Sequence, residues 1–265
     1  MFDNICKFLA ENFSRDFANW LLGEPINLTE LSPKELSLEP IRADALILLQ
    51  SDEKILHIEF QTQPDKEIPF RTIDYRIRGY RRFPDKEMHQ VVIYLNRTNS
   101  ELVYQNTFSL TRTRHEFEII RLWEQPPEVF LENPGLLPFA VLSNTPNPEN
   151  VLNQVAREIN DIPDNRTQSN VAASTAILAG LVLNKDLIRR ILRSDIMRES
   201  PIYQEILQEG EEKGKAEGRA EGKAETLQQV AINLLSTGMA LEDISRVTEL
   251  SVEQLRVLQR EQSQQ

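Results

Sequence analysis

Apolar residues at the start of the chain recur at three- and four-residue spacing. Ile5, Phe8, Leu9, Phe13, Phe17 and Leu21 share one face of a helix predicted over residues 2–22, and Gly23 ends it. Glu24-Pro25 opens a loop toward a short extended piece at residues 36–38, ahead of Pro40. The period then changes. Residues 42–49 form a nearly unbroken apolar run, and residues 55–61 read Ile-Leu-His-Ile-Glu-Phe-Gln. In a strand, Ile58 and Phe60 point into packing while Glu59 and Gln61 point the other way, with His57 beside them. The polar stretch at residues 51–54 predicts a hairpin turn between the two runs. An arginine-rich helix follows at residues 70–83, then strands at residues 89–95 and 116–123. The order is αβββαββ, an α/β class with a mixed sheet.

Beyond Pro126-Pro127 the pattern is all-α, with helices at residues 151–160, 170–183 and 185–198 after a proline-rich connection. Gly210, Gly214, Gly218 and Gly222 then recur every four residues among lysines and glutamates. Each glycine costs a helix about 1 kcal/mol relative to alanine, so this stretch is either a marginal helix that orders on self-association or a flexible charged spacer. Helices at residues 227–235, 241–247 and 251–259 close the chain as a helix-turn-helix-like unit, with Ser251 as an N-cap. Arg256 lies beside Glu253 and Arg260 beside Glu261, which favours protein contact or homo-oligomer assembly over reading of a major groove. Four segments result: a core at residues 1–125, a helical extension packing on it at 126–200, the glycine repeat at 201–226, and the small module at 227–265.

Composition narrows the chemistry. Cys6 is the only cysteine and there are three histidines, so a disulfide framework and a thiolate zinc cluster are excluded and a metal would need carboxylates. The N-terminus lacks a basic start and apolar run, so a cytoplasmic protein is expected. The most apolar stretch, residues 171–183, is shorter than the roughly 20 residues that cross a bilayer and reads as a buried helix, so no membrane partner is expected. A net charge of −11 argues against coating nucleic acid by bulk electrostatics, leaving only a local basic face for DNA.

Asp44 and Glu59 flank the predicted turn. An antiparallel hairpin closed at residues 51–54 sets Asp44 opposite residues 59–61, bringing both carboxylates to a common face. Two such groups in an apolar hairpin are costly unless a cation compensates them, and Mg²⁺ (or Mn²⁺) suits a site of one or two carboxylates plus waters. On the adjacent helix Arg71, Arg78 and Arg82 fall near one face, where they can meet a phosphate backbone or simply be solvated; Arg42 can do the same or pair with an acid. Tyr75 and Tyr80 either stack on bases or pack. Glu11 is a weaker candidate for an auxiliary acid.

The pattern Arg42-Ala43-Asp44 followed by Ile58-Glu59-Phe60-Gln61, in this element order, resembles the PD-(D/E)XK nuclease superfamily. More closely, it resembles the Rpn family of recombination-promoting nucleases, also labelled transposases. The likeness covers residues 1–125, and the Gly-Lys-Ala-Glu-Gly-Arg repeat with its following helices is similar to that family's tail. The resemblance implies a restriction-endonuclease-like core and a Mg²⁺-dependent DNA endonuclease linked to recombination or mobile elements. It also implies Asp44 and Glu59 as metal ligands, with Gln61 in the catalytic place where many members carry a lysine. Glutamine brings no positive charge there, though its amide can orient water or phosphate. That departure keeps an alternative open: a catalytically inactive nuclease-fold protein that binds nucleic acid or another protein.

Overall fold

A computed structural model describes residues 2–31, 46–192 and 194–262. The chain divides into two compact units, Met1–Gln204 and Glu205–Gln265.

The first unit is α/β. Its mixed five-stranded sheet has the order β1-β2-β3-β4-β7, from β1 (Thr29–Glu30), β2 (Leu46–Gln50), β3 (Lys54–Gln61), β4 (Glu87–Tyr94) and β7 (Glu118–Arg121). The hairpin forms where polar residues interrupt the apolar runs. β2 and β3 pair antiparallel from Leu46 opposite Glu59 to Gln50 opposite Ile55. The Ser51 amide donates to the Lys54 carbonyl at 2.9 Å, and the Lys54 amide donates to Ser51 Oγ at 3.1 Å, closing the turn. β3 runs parallel to β4, and β4 parallel to β7. A parallel neighbour needs a crossover, which α3 (Ile68–Arg82) supplies between β3 and β4. The strand expected at residues 36–38 lies outside the described residues.

The N-terminal helix breaks at Phe13 into α1 (Phe2–Asn12) and α2 (Ser14–Leu22). Phe13 abuts Gly135, where an added Cβ would collide with the Phe13 Cβ, and the Gly135 amide donates to Asp16 at 2.9 Å. Gly23, at φ 72°, ends α2 as expected. Residues 116–123 are not one strand. Phe117 is buried and its amide donates to the Asn106 carbonyl, so the chain leaves the hairpin of β5 (Thr107–Leu110) and β6 (Thr113–Glu116) and enters β7. A single 3-10 turn over Leu122–Glu124 follows.

Alternation along β3 divides the core. Phe60 stacks on Phe139 with ring centroids 5.6 Å apart and meets Phe17 edge-on at 6.3 Å, tying α2 and a buried 3-10 helix (Leu137–Leu142) to one sheet face. α3 covers the other face through Tyr75, which packs with Leu31, Leu48, Ile55 and Met88, and through Ile68, which packs with Val92 and Tyr94. After α4 (Glu128–Leu131), α5 (Pro148–Asn160) and α6 (Asn165–Ala179) pack on the 3-10 helix, followed by α7 (Lys185–Ile191) and α8 (Ser194–Met197). The α6 residues Val171, Ala172, Ala173 and Leu178 are buried, as expected there, but the helix stops at Ala179 rather than Leu183, and Val182 beyond it is exposed.

In the second unit the glycine repeat is helical, lying within α9 (Pro201–Ser236). α9 meets α10 (Leu241–Thr248) and α11 (Val252–Gln262) around Ala231, Ile244 and Leu255. Ser251 and Gln254 cap α11 reciprocally, each side chain accepting from the other's amide. Among the described residues no helix is long and apolar enough to cross a membrane.

Candidate active site around Glu59

Glu59 is 2 % exposed, an uncommon place for a carboxylate. It lies there because the parity that sends Ile58 and Phe60 into the aromatic core sends His57, Glu59 and Gln61 under α3. The Glu59 partner on β2 is Leu46, the first described residue of that strand. Asp44 and Arg42 lie outside the described residues.

Two donors converge on Glu59 Oε2: Arg71 Nη2 at 3.1 Å from α3, and Gln61 Nε2 at 3.4 Å from two residues along the strand. The same guanidinium donates through Nη1 to Asp65 at 2.6 Å, and Asp65 is fixed in turn by the Glu67 amide at 2.9 Å. Arg71 thus bridges a buried acid and a loop acid. Glu59 Oε1 has no hydrogen-bond partner among the described residues; His57 Nε2 lies 3.6 Å from it.

The ring of His57 is oriented from behind. Gln90 Nε2 donates to the Thr72 carbonyl at 2.7 Å and lies 2.9 Å from His57 Nδ1. A carbonyl can only accept, so this end of Gln90 is the amide NH₂ and Nδ1 must accept from it. The imidazole proton therefore sits on Nε2, the nitrogen nearest Glu59. Tyr75 packs edge-on against the ring at 5.1 Å. Of the two tyrosines on α3, Tyr75 packs, whereas Tyr80 is 66 % exposed.

Burial is the largest influence on the Glu59 carboxyl and pushes its pKa up. The neighbouring His57 and Arg71 side chains together outweigh burial and hold the pKa below the ordinary value. For the Arg71 guanidinium, burial acts downward, while Glu59 and Asp65 raise the pKa on balance. Tyr94, opposite Gln61 on β4, has its pKa pushed up to about 12, first by burial and then by the charges of Asp65 and Glu59. Its hydroxyl has no hydrogen-bond partner among the described residues.

The remaining candidates are spread over the surface. Arg78 pairs with Asp74 at 2.9 Å, and Arg82 is exposed above the Phe83 ring. Glu11 lies 3.6 Å from Lys7 on its own helix; its pKa is raised, chiefly by burial. Among the described residues no three His, Cys, Asp or Glu side chains gather as a metal cluster. Sequence reasoning missed Gln90, Tyr94 and Asp65. The first two share a parity on β4 that would have flagged them, had the parallel register between β3 and β4 been known.

Comparison with protein families, with curated proteins and with solved structures finds no match to this chain.

Proposed function

We propose that the protein is a Mg²⁺-dependent DNA endonuclease with a PD-(D/E)XK-type, restriction-endonuclease-like core. The observation that carries this reading is Glu59: a carboxylate buried in the sheet, favoured in its ionised form, with one oxygen unpartnered among the described residues. A buried carboxylate oxygen that makes no hydrogen bond is costly, and a divalent cation that takes one or two carboxylates plus waters fits it. Glu59 and Asp44 would hold the ion, Asp44 standing two positions before Leu46 in the sequence. When bound, Mg²⁺ or Mn²⁺ supplies positive charge to a phosphodiester and acidity to a water.

The chain's own residues supply the rest. The Gln61 amide orients water or a phosphate oxygen next to Glu59. Arg42, Arg71, Arg78 and Arg82 serve as contacts to the DNA backbone, with exposed Tyr80 on α3 available to stack. The C-terminal unit serves assembly or protein contact, for its recognition-like helix carries as many acids as bases. Incubation with plasmid and Mg²⁺ or Mn²⁺ tests the reading: nicking is expected, and Asp44→Ala and Glu59→Ala should each abolish it while the fold is kept. Absence of nicking, or nicking indifferent to both substitutions, refutes it.

The Arg71 ion pair favours a second reading, a catalytically inactive nuclease-fold module for nucleic acid or protein, because the guanidinium already compensates Glu59. Calorimetry separates the two. An active site takes up Mn²⁺ in a way that depends on Glu59, and an inactive module does not.

A further inference from the structure

Gln61 and Arg71 reach the same oxygen, Glu59 Oε2, from different elements, and only one of them carries a charge. We infer that Arg71 is a catalytic residue, supplying from α3 the positive charge that the neutral amide of Gln61 cannot. The inference rests on the nuclease reading above.

Hydrolysis of a phosphodiester forms a bond from water oxygen to phosphorus and breaks the bond from phosphorus to the leaving sugar oxygen. The water gives up a proton to solvent and the leaving alkoxide takes one, so water is added across the bond. Negative charge on the phosphoryl oxygens must be met where the bonds change, and a fixed cation does so without reorganising. Arg71 is placed for this. Its side chain is 33 % exposed while that of Glu59 is 3 % exposed, so the guanidinium is the part of the pair that a substrate can touch. Asp65 holds its other arm, which fixes the plane of the fork. Its neighbours on α3 are engaged elsewhere: Arg76 donates to the Met88 carbonyl and Arg78 pairs with Asp74.

The test uses the full chain and four proteins: wild type, Arg71→Ala, Arg71→Lys, and the double variant Gln61→Lys with Arg71→Ala. Plasmid nicking in Mn²⁺ gives kcat and KM, calorimetry gives Mn²⁺ affinity, and thermal melting checks folding. Arg71→Ala should lower kcat by about 100- to 1,000-fold with KM shifted less than about threefold. Arg71→Lys keeps the charge but loses the fork and should fall less. Lysine at position 61 should restore at least about tenfold in the Arg71→Ala background, because that side chain ends at the same Glu59 oxygen. Mn²⁺ affinity of Arg71→Ala should equal or exceed that of wild type, since the guanidinium no longer competes for Glu59.

The inference is overturned by unchanged nicking in Arg71→Ala, by an effect on KM alone, by no restoration in the double variant, or by Mn²⁺ affinity lost together with turnover. Should Arg71→Ala not fold, Arg71→Gln, neutral but similar in length, replaces it as the baseline against which Arg71→Lys and Gln61→Lys are read. A wild type silent in both metals removes the nuclease reading and this inference with it, whereas a cutting wild type with an indifferent Arg71→Ala removes only the inference.

Discussion

Replacing Glu59 by glutamine keeps the shape of the side chain and removes its charge. The oxygen facing Arg71 at 3.1 Å still accepts, but a charge-assisted bond becomes an ordinary one, a loss of about 1 kcal/mol. The other arm becomes an NH₂ facing His57 Nε2, donor against donor, and an unsatisfied buried donor costs about 1–3 kcal/mol. Relief from burying a charge offsets part of this, so Glu59→Gln should destabilise the first unit by about 1–3 kcal/mol at pH 7. The pH dependence has a definite sign. The folded-state pKa of Glu59 lies below its ordinary value of 4.5, so the stabilisation is fully present above that value. It is lost as pH falls through the lowered folded-state value. Urea unfolding followed by tryptophan fluorescence is a suitable assay, because Trp20 and Trp123 both lie in the first unit. The gap between wild type and Glu59→Gln should shrink on acidification. A variant as stable as wild type at pH 7, or a gap constant across the acid range, would refute the reasoning.

Three further outcomes are expected. Phe60→Ala, which empties the stack on Phe139, should cost about 3–5 kcal/mol in the same urea assay, and a loss below about 1.5 kcal/mol would contradict the packing described. Gly135→Ala forces its Cβ onto Phe13 and should lower stability by about 1–3 kcal/mol, read as a depressed melting temperature. Alanine at Gly210, Gly214, Gly218 and Gly222 meets nothing within 4 Å, so each change should stabilise α9 by about 0.8–1 kcal/mol, visible as helical circular dichroism persisting to higher temperature.

The hairpin was legible because its signal is local: the apolar runs fix the strands and the polar quartet fixes the turn, which leaves a register within about two residues that the structure narrows to Leu46 opposite Glu59. The parallel pairing of β3 with β4 was not, since a crossover helix leaves the register to packing under α3, and Gln90 and Tyr94 were missed with it. Arg71 was recognised as a cation on a helix face, but its role depends on where α3 sits over the sheet, which no spacing encodes. The break at Phe13 was not legible either: the helical period runs through it, and Gly135, which Phe13 abuts there, is over a hundred residues away. The glycine repeat is continuous helix where propensity alone makes helix and spacer comparable.

The turn between β2 and β3 governs more than chain reversal. Side-chain orientation in a strand inverts with every step, so lengthening or shortening that three-residue link by one would rotate all of β3 by half a period. Phe60 would then press against polar groups and Glu59 would enter a greasy interior, trading both roles in one event. Evolution can therefore vary the identities of the link's residues far more freely than their number, and an indel there would take apart the cluster around Glu59 without touching any of its members.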